Sequence, residues 1–327
     1  MIDEAHIKKV DSEYKCDEWG KHTRYFYKKE SVESLGLEYK EGRGIKLIVN
    51  NRMKNAKTVQ KMAIIQTYYA NLGLAPRVYN LGFIGEYPYL EVEHIEGKFK
   101  TPTKKLKKLI KKVAKDSGFI KPYLDTDMRK NYIIKDDKVF YIDFHGFKLS
   151  LKKFEKWVLK EIEDKTHWGH LNDDNERFSY QTGKRDMRYR IKQMKLDEID
   201  FKDKRVLDVG CNLGLFMHYV SSEGGSGIGF DTPEIMNLAW LYKFWISPLA
   251  KIEFSESEGE FDIQLYLAMV HTFGYPQPIA PLTIFEGHNL QDKDKTEQSL
   301  KGNGFSKIEF INYTEDRGKR PVFWCWR

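Results

Sequence analysis

The segment RVLDVGCNLG, residues 205–214, constrains the fold of this chain more than any other. An apolar strand runs into a turn whose glycines, Gly210 and Gly214, stand at the two ends of a GxxxG spacing. Small residues let the backbone approach a nucleoside closely, and a helix that begins at Leu215 directs its free amides at the same place. The segment therefore predicts a nucleoside-binding turn between a strand and a helix.

A second acidic strand end follows in the segment GIGFD, residues 227–231. Asp231 stands 23 residues after Asp208, where a carboxylate can accept hydrogen bonds from both hydroxyls of a ribose. The third glycine of a GxGxxG pattern is missing and Asn212 takes its middle place, which disfavours a nicotinamide dinucleotide as the ligand.

Strand and helix patterns alternate through the rest of this half, which predicts βαβ units and a parallel sheet. The tail differs, because 307–312 and 321–326 read as an antiparallel hairpin. The predicted strands and helices before it are 205–209, 215–222, 227–230, 233–245, 261–268 and 282–285.

These motifs resemble the first two motifs of class I S-adenosylmethionine-dependent methyltransferases, over about 180–327. The resemblance implies a Rossmann-like sheet that ends in the family's terminal β-hairpin. It also implies that Asp208, Gly210 and Gly214 hold the methionine end of the cofactor, with Asn212 in the same turn, and that Asp231 holds the ribose.

Two further candidates flank this site. Some members of the family cover the cofactor with residues such as Tyr180, Gln181 and Arg185, and the arginine would pair with the cofactor carboxylate. The alternative is that 180–185 is a basic linker. His271 follows a predicted strand and is the candidate acid/base, since methyl transfer to a hydroxyl needs a proton acceptor near neutral pH. A histidine at a strand end can equally be structural.

The N-terminal half is β-rich and predicts an α+β domain. Predicted strands at 23–27, 44–49 and 88–93 surround a helix at 57–74. A second helix, 103–114, carries a narrow apolar stripe opposite a dense lysine face. We expect this helix to pack on the core, and the alternative is peripheral contact with a membrane surface.

A carboxylate, an amide and a second carboxylate stand in order at Asp127, Asn131 and Asp143. Phosphoryl transfer needs such groups, because one acid orients the attacking hydroxyl while the amide and the other acid hold Mg²⁺. The pattern resembles the catalytic loop and metal-binding aspartate of small protein-kinase-like folds, including lipopolysaccharide kinases. By this resemblance Lys46 contacts ATP, and Glu93 lies in the hinge that receives adenine.

The sequence departs from the kinase-like pattern in three ways, so an inactive kinase-like domain remains an alternative. The interval from Asp127 to Asn131 is four residues where the family usually has five, and no glycine-rich loop is legible before Lys46. The helix at 57–74 has no acidic residue, so Lys46 lacks its usual partner unless Gln60 or Gln66 replaces it.

The length of 327 residues suggests two domains, and we predict a kinase-like domain at 1–163, a connector at 164–200 and a methyltransferase domain at 201–327. Residues 201–327 hold 13 Lys and Arg against 17 Asp and Glu, whereas residues 1–200 hold 42 against 31. This basic excess suits a polyanion or an ordinary solvated surface. Three distant cysteines, no signal peptide and no long apolar stretch predict a cytoplasmic protein with no transmembrane segment.

Taken together, the two halves resemble bifunctional enzymes that terminate O-antigen polysaccharides by phosphorylation and methylation, with the domain order reversed here. We therefore expect S-adenosylmethionine, ATP and Mg²⁺ as cofactors and a sugar or polysaccharide end as acceptor. The alternative is a nucleic-acid methyltransferase, acting on RNA, in which an inactive kinase-like domain binds the polyanion.

Overall fold

The chain folds into two compact units, residues 1–157 and 158–327, each built from both helices and strands. The structure, a computed structural model, describes residues 16–19, 23–49, 55–99, 103–122, 131–144, 147–165, 187–256, 258–289, 291–315 and 318–327. The mixed α/β class predicted from the sequence is confirmed. The three-part division of the chain at 163 and 200 stays a prediction.

The first unit contains an antiparallel five-stranded sheet in the order β1-β2-β3-β5-β4. Its strands are β1 (Glu18–Trp19), β2 (Thr23–Phe26), β3 (Arg43–Ile48), β4 (Val78–Ile84) and β5 (Tyr87–Glu93). A short helix, α1 (Lys29–Glu33), connects β2 to β3 and contributes Val32 to an apolar cluster with Phe26 and Leu47. Alternate residues of β2 and β3 thus bury one face of the sheet.

A second group of elements in the same unit packs around aromatic rings. The Tyr69 ring of the long helix lies 5.3 Å from that of Phe144, and the Phe119 ring lies 5.3 Å from that of Phe154. The other elements of this unit are α2 (Ala56–Asn71), β6 (Lys98–Phe99), α3 (Lys104–Ser117), β7 (Ile120–Pro122), β8 (Tyr132–Lys135), β9 (Lys138–Tyr141) and β10 (Phe147–Leu149). Helix α4 (Leu151–Lys165) begins in this unit and extends past residue 157.

Helix α3 is the predicted lysine-rich helix. Thr103 caps it by accepting the amide of Leu106, and Gly118 ends it in the left-handed conformation. Ile110 and Ala114 are buried, and Tyr69 donates to the Ile110 carbonyl, so the helix packs on the core as expected. Leu109, which the sequence pattern places in the apolar stripe, is instead 41% exposed among the lysines, so the buried stripe is narrower than predicted.

The second unit is organised by a seven-stranded sheet in the order β13-β12-β11-β14-β15-β17-β16. The first five strands pair in parallel and the last two form the predicted antiparallel hairpin. They are β11 (Arg205–Val209), β12 (Ser226–Phe230), β13 (Ile252–Phe254), β14 (Ile263–Leu267), β15 (Leu282–Glu286), β16 (Lys307–Thr314) and β17 (Arg320–Trp326). The parallel part has the 3-2-1-4-5 order of doubly wound nucleotide-binding sheets, whose ligands bind outside the carboxyl ends of the strands.

Helices join these strands and precede the sheet. They are α5 (Met187–Gln193), α6 (Leu215–Ser222), α7 (Pro233–Ile246), α8 (Val270–Phe273) and α9 (Lys293–Gly302). Helix α5 belongs to this unit, because Trp324 donates to the Met194 carbonyl at 3.1 Å and Gln193 accepts the amide of Glu315 at 3.3 Å. None of the helices in the described residues combines the length and hydropathy needed to span a bilayer.

Candidate functional site

The loop after β11 begins and ends with a glycine in a backbone conformation that favours glycine. Gly210 and Gly214 have φ of 75° and 73°, in the left-handed region. A Cβ on Gly210 would lie 2.2 Å from the Met269 sulfur, and one on Gly214 would lie 2.6 Å from the Phe254 ring. The two glycines of the GxxxG spacing are therefore needed for two reasons: they allow the backbone to turn, and they let the loop pack closely against Met269 and Phe254.

Asp208 lies in the middle of the site and is deeply buried, at 2% exposure. Its Oδ2 has no hydrogen-bond partner in the described part of the chain. Burial and then the negative charge of Asp231 raise the pKa of Asp208 to about 7, while Arg190 acts in the opposite direction. A buried carboxylate oxygen without a donor is costly, so Asp208 is suited to a cationic or hydrogen-bonding ligand.

Asp231 lies at the end of the neighbouring strand β12, as the sequence predicts. Its Oδ2 accepts the amide of Asn212 at 2.8 Å and its Oδ1 accepts the amide of Thr232 at 2.7 Å. Asn212 has a φ of 53° and accepts the amide of Leu213 through its own side chain. The carboxylate is thus fixed in place, and each of its oxygens keeps a lone pair for a further donor.

A buried ion pair lies beside this site and was not predicted. Arg190 of α5 contacts Glu286, the last residue of β15, with 2.6 Å between Nη2 and Oε2. Thr314 donates to Oε1 of Glu286 at 2.5 Å, and Nη1 of Arg320 lies 3.6 Å from Oε2. Because Arg190 also lowers the pKa of Asp208, this cluster contributes to the electrostatics of the site.

His271, the predicted acid/base, lies in α8 at the carboxyl side of β14. It is exposed and its ring lies 4.8 Å from that of His288, at an interplanar angle of 58°. Sequence reasoning missed His288. The signal that could have found it is its position, two residues after β15, since the carboxyl ends of parallel strands meet at one edge of a sheet.

Four predicted site residues lie outside the described residues. They are Asp127, Tyr180, Gln181 and Arg185. Their roles stay predictions.

In the first unit, the structure brings together three of the predicted kinase-site residues. Lys46 of β3 donates to the Ile142 carbonyl at 2.9 Å, directly before Asp143. Burial lowers the pKa of the Lys46 amine, and the negative charge of Asp143 acts in the opposite direction. Asn131 is buried beside them: its side chain bonds to that of Tyr141, and its carbonyl accepts the Ile142 amide.

Two sets of hydrogen bonds involve residues of the predicted nucleotide site. The Nε2 of Gln66, one of the two residues that could replace the acidic partner of Lys46, donates to the Pro76 carbonyl at 3.0 Å. The amide of Glu93 donates to the Arg77 carbonyl and that of His94 donates to the Gly42 carbonyl, both at 2.8 Å. These two hinge amides are therefore already used within the protein.

No three His, Cys, Asp or Glu side chains within the described ranges form a group that could hold a metal ion. Asn131 and Asp143, the predicted Mg²⁺ ligands, are described, whereas Asp127, the predicted catalytic base, is not. The Mg²⁺ site stays a prediction.

No protein-family model matches the chain. No curated protein matches its sequence.

Several solved structures are similar to part of the chain. The bifunctional kinase-methyltransferase WbdD is 17% identical over 51% of this chain and 46% of its own, with a TM-score of 0.42. Magnesium protoporphyrin IX methyltransferase (ChlM) from Synechocystis PCC 6803 with bound SAH is 13% identical over 54% of this chain and 94% of its own, with a TM-score of 0.35. EvdMO1 is 14% identical over 53% of this chain and 47% of its own, with a TM-score of 0.37. The chain thus matches less than half of the WbdD and EvdMO1 structures.

Proposed function

We propose that the second unit is an S-adenosylmethionine-dependent methyltransferase. The observation that carries the proposal is the Oδ2 of Asp208, which is buried at the carboxyl edge of a doubly wound sheet and has no hydrogen-bond partner among the described residues. Such an edge is where this sheet type binds nucleoside ligands. The cofactor's ammonium would supply the donor that Asp208 lacks, and burial makes that charge-assisted bond strong.

The neighbouring residues fit the rest of this cofactor. Asp231, fixed by the amides of Asn212 and Thr232, keeps lone pairs for the two ribose hydroxyls. Gly210 and Gly214 have no Cβ, which would clash with Met269 or Phe254, so the loop in which they lie packs closely at this edge of the sheet. When bound, the cofactor supplies a methyl group on a positively charged sulfur, which a nucleophile can take.

Isothermal titration calorimetry of the full chain with S-adenosylmethionine at pH 8 tests the proposal. Asp208→Asn keeps the shape of the side chain and removes its charge, so we expect binding about 10-fold weaker or more, the scale of one charge-assisted hydrogen bond. Asp294→Asn is the matched control, since Asp294 is 89% exposed in α9. A parent chain that binds no S-adenosylmethionine, or an Asp208→Asn chain that binds it equally well, contradicts the proposal.

For the first unit, we propose a kinase-like site for Mg²⁺-ATP that acts on a sugar or polysaccharide end. The approach of Lys46 to the segment of Asp143 and Asn131 supports it, because these groups recur at phosphoryl-transfer sites. The two units would then phosphorylate and methylate one acceptor.

A second candidate function rests on the lysine face of α3. Lys104, Lys108 and Lys111 are exposed on this helix, which suits a polyanion. In this alternative the first unit binds RNA and catalyses no phosphoryl transfer. A steep fall of RNA binding with rising salt would favour it, and Mg²⁺-dependent ATP binding would favour the kinase-like site.

A further inference from the structure

Two histidines meet at the carboxyl edge of the sheet in the second unit. His271 lies in α8 after β14, and His288 lies in the loop after β15. Their ring centroids are 4.8 Å apart, and both side chains are exposed. Imidazole is the side chain that exchanges protons near neutral pH, so two of them in contact form a local proton-accepting group.

Hydrogen bonds tie the two loops together. The amide of His288 donates to Oε1 of Gln291 at 2.7 Å. The Nε2 of Gln291 donates to the Tyr275 hydroxyl at 2.6 Å, and Tyr275 follows α8, the helix of His271. The histidines are therefore held on segments that are bonded to each other, which lowers the entropy cost of keeping the rings in contact.

The pair adjoins the loop that we assign to the methyl donor. Met269, two residues before His271, lies directly against Gly210. Phe273, at the other end of α8, is 51% exposed, and its ring lies 6.3 Å from that of Phe230, which precedes Asp231. An exposed aromatic face and two imidazoles thus border the same edge.

We propose that His271 and His288 act as one proton-accepting pair and that the methyl acceptor is a hydroxyl group; this rests on the proposed methyltransferase function. A phosphate or carboxylate oxygen is already ionised near neutral pH and needs no base, whereas a hydroxyl must lose its proton. The imidazole takes the hydroxyl proton while an oxygen lone pair forms the new C–O bond. The C–S bond breaks with its electrons going to sulfur, which leaves a methyl ether and S-adenosylhomocysteine. The imidazolium then releases its proton to water.

The charges around His288 keep it ready for this role. Burial, His271 and Arg320 lower its pKa below the ordinary value, and Glu286 acts in the opposite direction. These groups come from α8, β17 and β15, the described elements around it. His288 therefore stays neutral, and able to accept a proton, at neutral pH.

NMR titration of the histidine rings tests the position of the pair without any acceptor. S-adenosylmethionine carries a positive sulfur and S-adenosylhomocysteine does not. A nearby positive charge disfavours the protonated ring, so we expect the titration midpoint of His288 to fall by about 0.4–1 pH unit in the S-adenosylmethionine complex relative to the S-adenosylhomocysteine complex, the scale of a unit charge close by in a largely solvated site. His94, in the first unit, is the internal control and shows no difference.

Two variants sharpen this measurement. His271→Asn removes a neighbouring charge and raises the His288 midpoint. Gln291→Ala frees the His288 loop and reduces the difference between the two complexes, while the affinity for S-adenosylmethionine stays within 2-fold, or about 0.4 kcal/mol. If both cofactors bind by calorimetry but the His288 midpoints coincide, the pair is too far from the methyl group and the proposal fails while the methyltransferase function stands. If neither cofactor binds, the methyltransferase function fails and the pair's role with it.

A panel of neutral methyl glycosides and their phosphate esters tests the acceptor class. Mass spectrometry should find methyl groups on glycoside hydroxyls, with kcat/KM rising with pH through the His288 midpoint and falling at least 100-fold in His288→Gln. Methylation of phosphate oxygens alone, or of no compound in the panel, overturns the hydroxyl assignment.

Discussion

The amide of Asn212 donates to the carboxylate of Asp231 at 2.8 Å, so the loop after β11 and the end of β12 hold each other in place. Asn212 needs this support because its φ is 53°, a conformation that costs energy in most residues. The same carboxylate that we assign to the ribose therefore also shapes the loop assigned to the methionine end.

Asp231→Ala should weaken S-adenosylmethionine binding by about 1.5–3 kcal/mol, or roughly 10–150-fold, because it removes charge-assisted bonds to the ribose. Calorimetry measures the change. Asp294→Ala is the control, since that side chain is exposed in α9. Unchanged affinity in Asp231→Ala would show that the ribose does not bind there.

Asp208 should make the second unit less stable as pH rises. Its pKa is about 7 in the folded chain and near 3.8 when unfolded, so between these values the folded state binds more protons. Stability from this group is present at low pH and is lost as pH rises through 7. Asp208→Asn should therefore raise Tm relative to the parent by about 2–6 °C more at pH 8 than at pH 4.5, measured by scanning calorimetry. An equal change at both pH values would contradict the assigned pKa.

His218 should produce the opposite slope. It is buried in α6, both its ring nitrogens lack partners in the described chain, and burial with the charge of Lys243 lowers its pKa to about 3. In the unfolded state His218 binds a proton below about pH 6.5, whereas in the folded state it stays neutral. The free energy of unfolding therefore falls by roughly 2 kcal/mol because of this group between pH 7 and pH 5.

His218→Leu removes this loss. The Tm of His218→Leu should fall less than that of the parent between pH 7 and pH 5, and parallel curves would show that His218 does not titrate in this range. Glu309→Gln, exposed on β16, serves as the control.

Asp143→Asn should abolish the thermal stabilisation of the chain by Mg²⁺-ATP and leave that by S-adenosylmethionine intact, because a ligand stabilises only through the site it occupies. Lys46→Met should behave in the same way, since Lys46 bonds to the carbonyl beside Asp143. The parent is measured first, by thermal shift with and without Mg²⁺. A flat ATP titration in the parent would favour the inactive kinase-like scaffold.

Local patterns predicted most of the second unit. The segment 215–222 is a helix with the expected bounds, because an apolar strand, a glycine turn and a helical repeat follow one another without a break. The sequence did not predict helix α9, because only Thr296 and Leu300 among its residues are buried. Two buried residues are too few to produce a recognisable helical period of apolar residues.

Ion pairs and hydrogen bonds between residues far apart in the chain could not be predicted from the sequence. Arg190 and Glu286 are 96 positions apart, and neither stands in a motif. The tie from Gln291 to Tyr275 likewise depends on two loops that only the sheet brings together. Strand order and the carboxyl-edge rule would have suggested His288, but not its contact with His271.

The ion pair between Arg190 and Glu286 limits where a fragment of the second unit can begin. A fragment that begins at residue 201 leaves the Glu286 carboxylate buried without its nearest guanidinium, and breaking a buried pair in this way costs about 3–5 kcal/mol. Trp324 loses its bond to Met194 in the same fragment. The smallest fragment of the second unit that folds independently must therefore start before Met187. A chimeric protein that receives this sheet must also include α5.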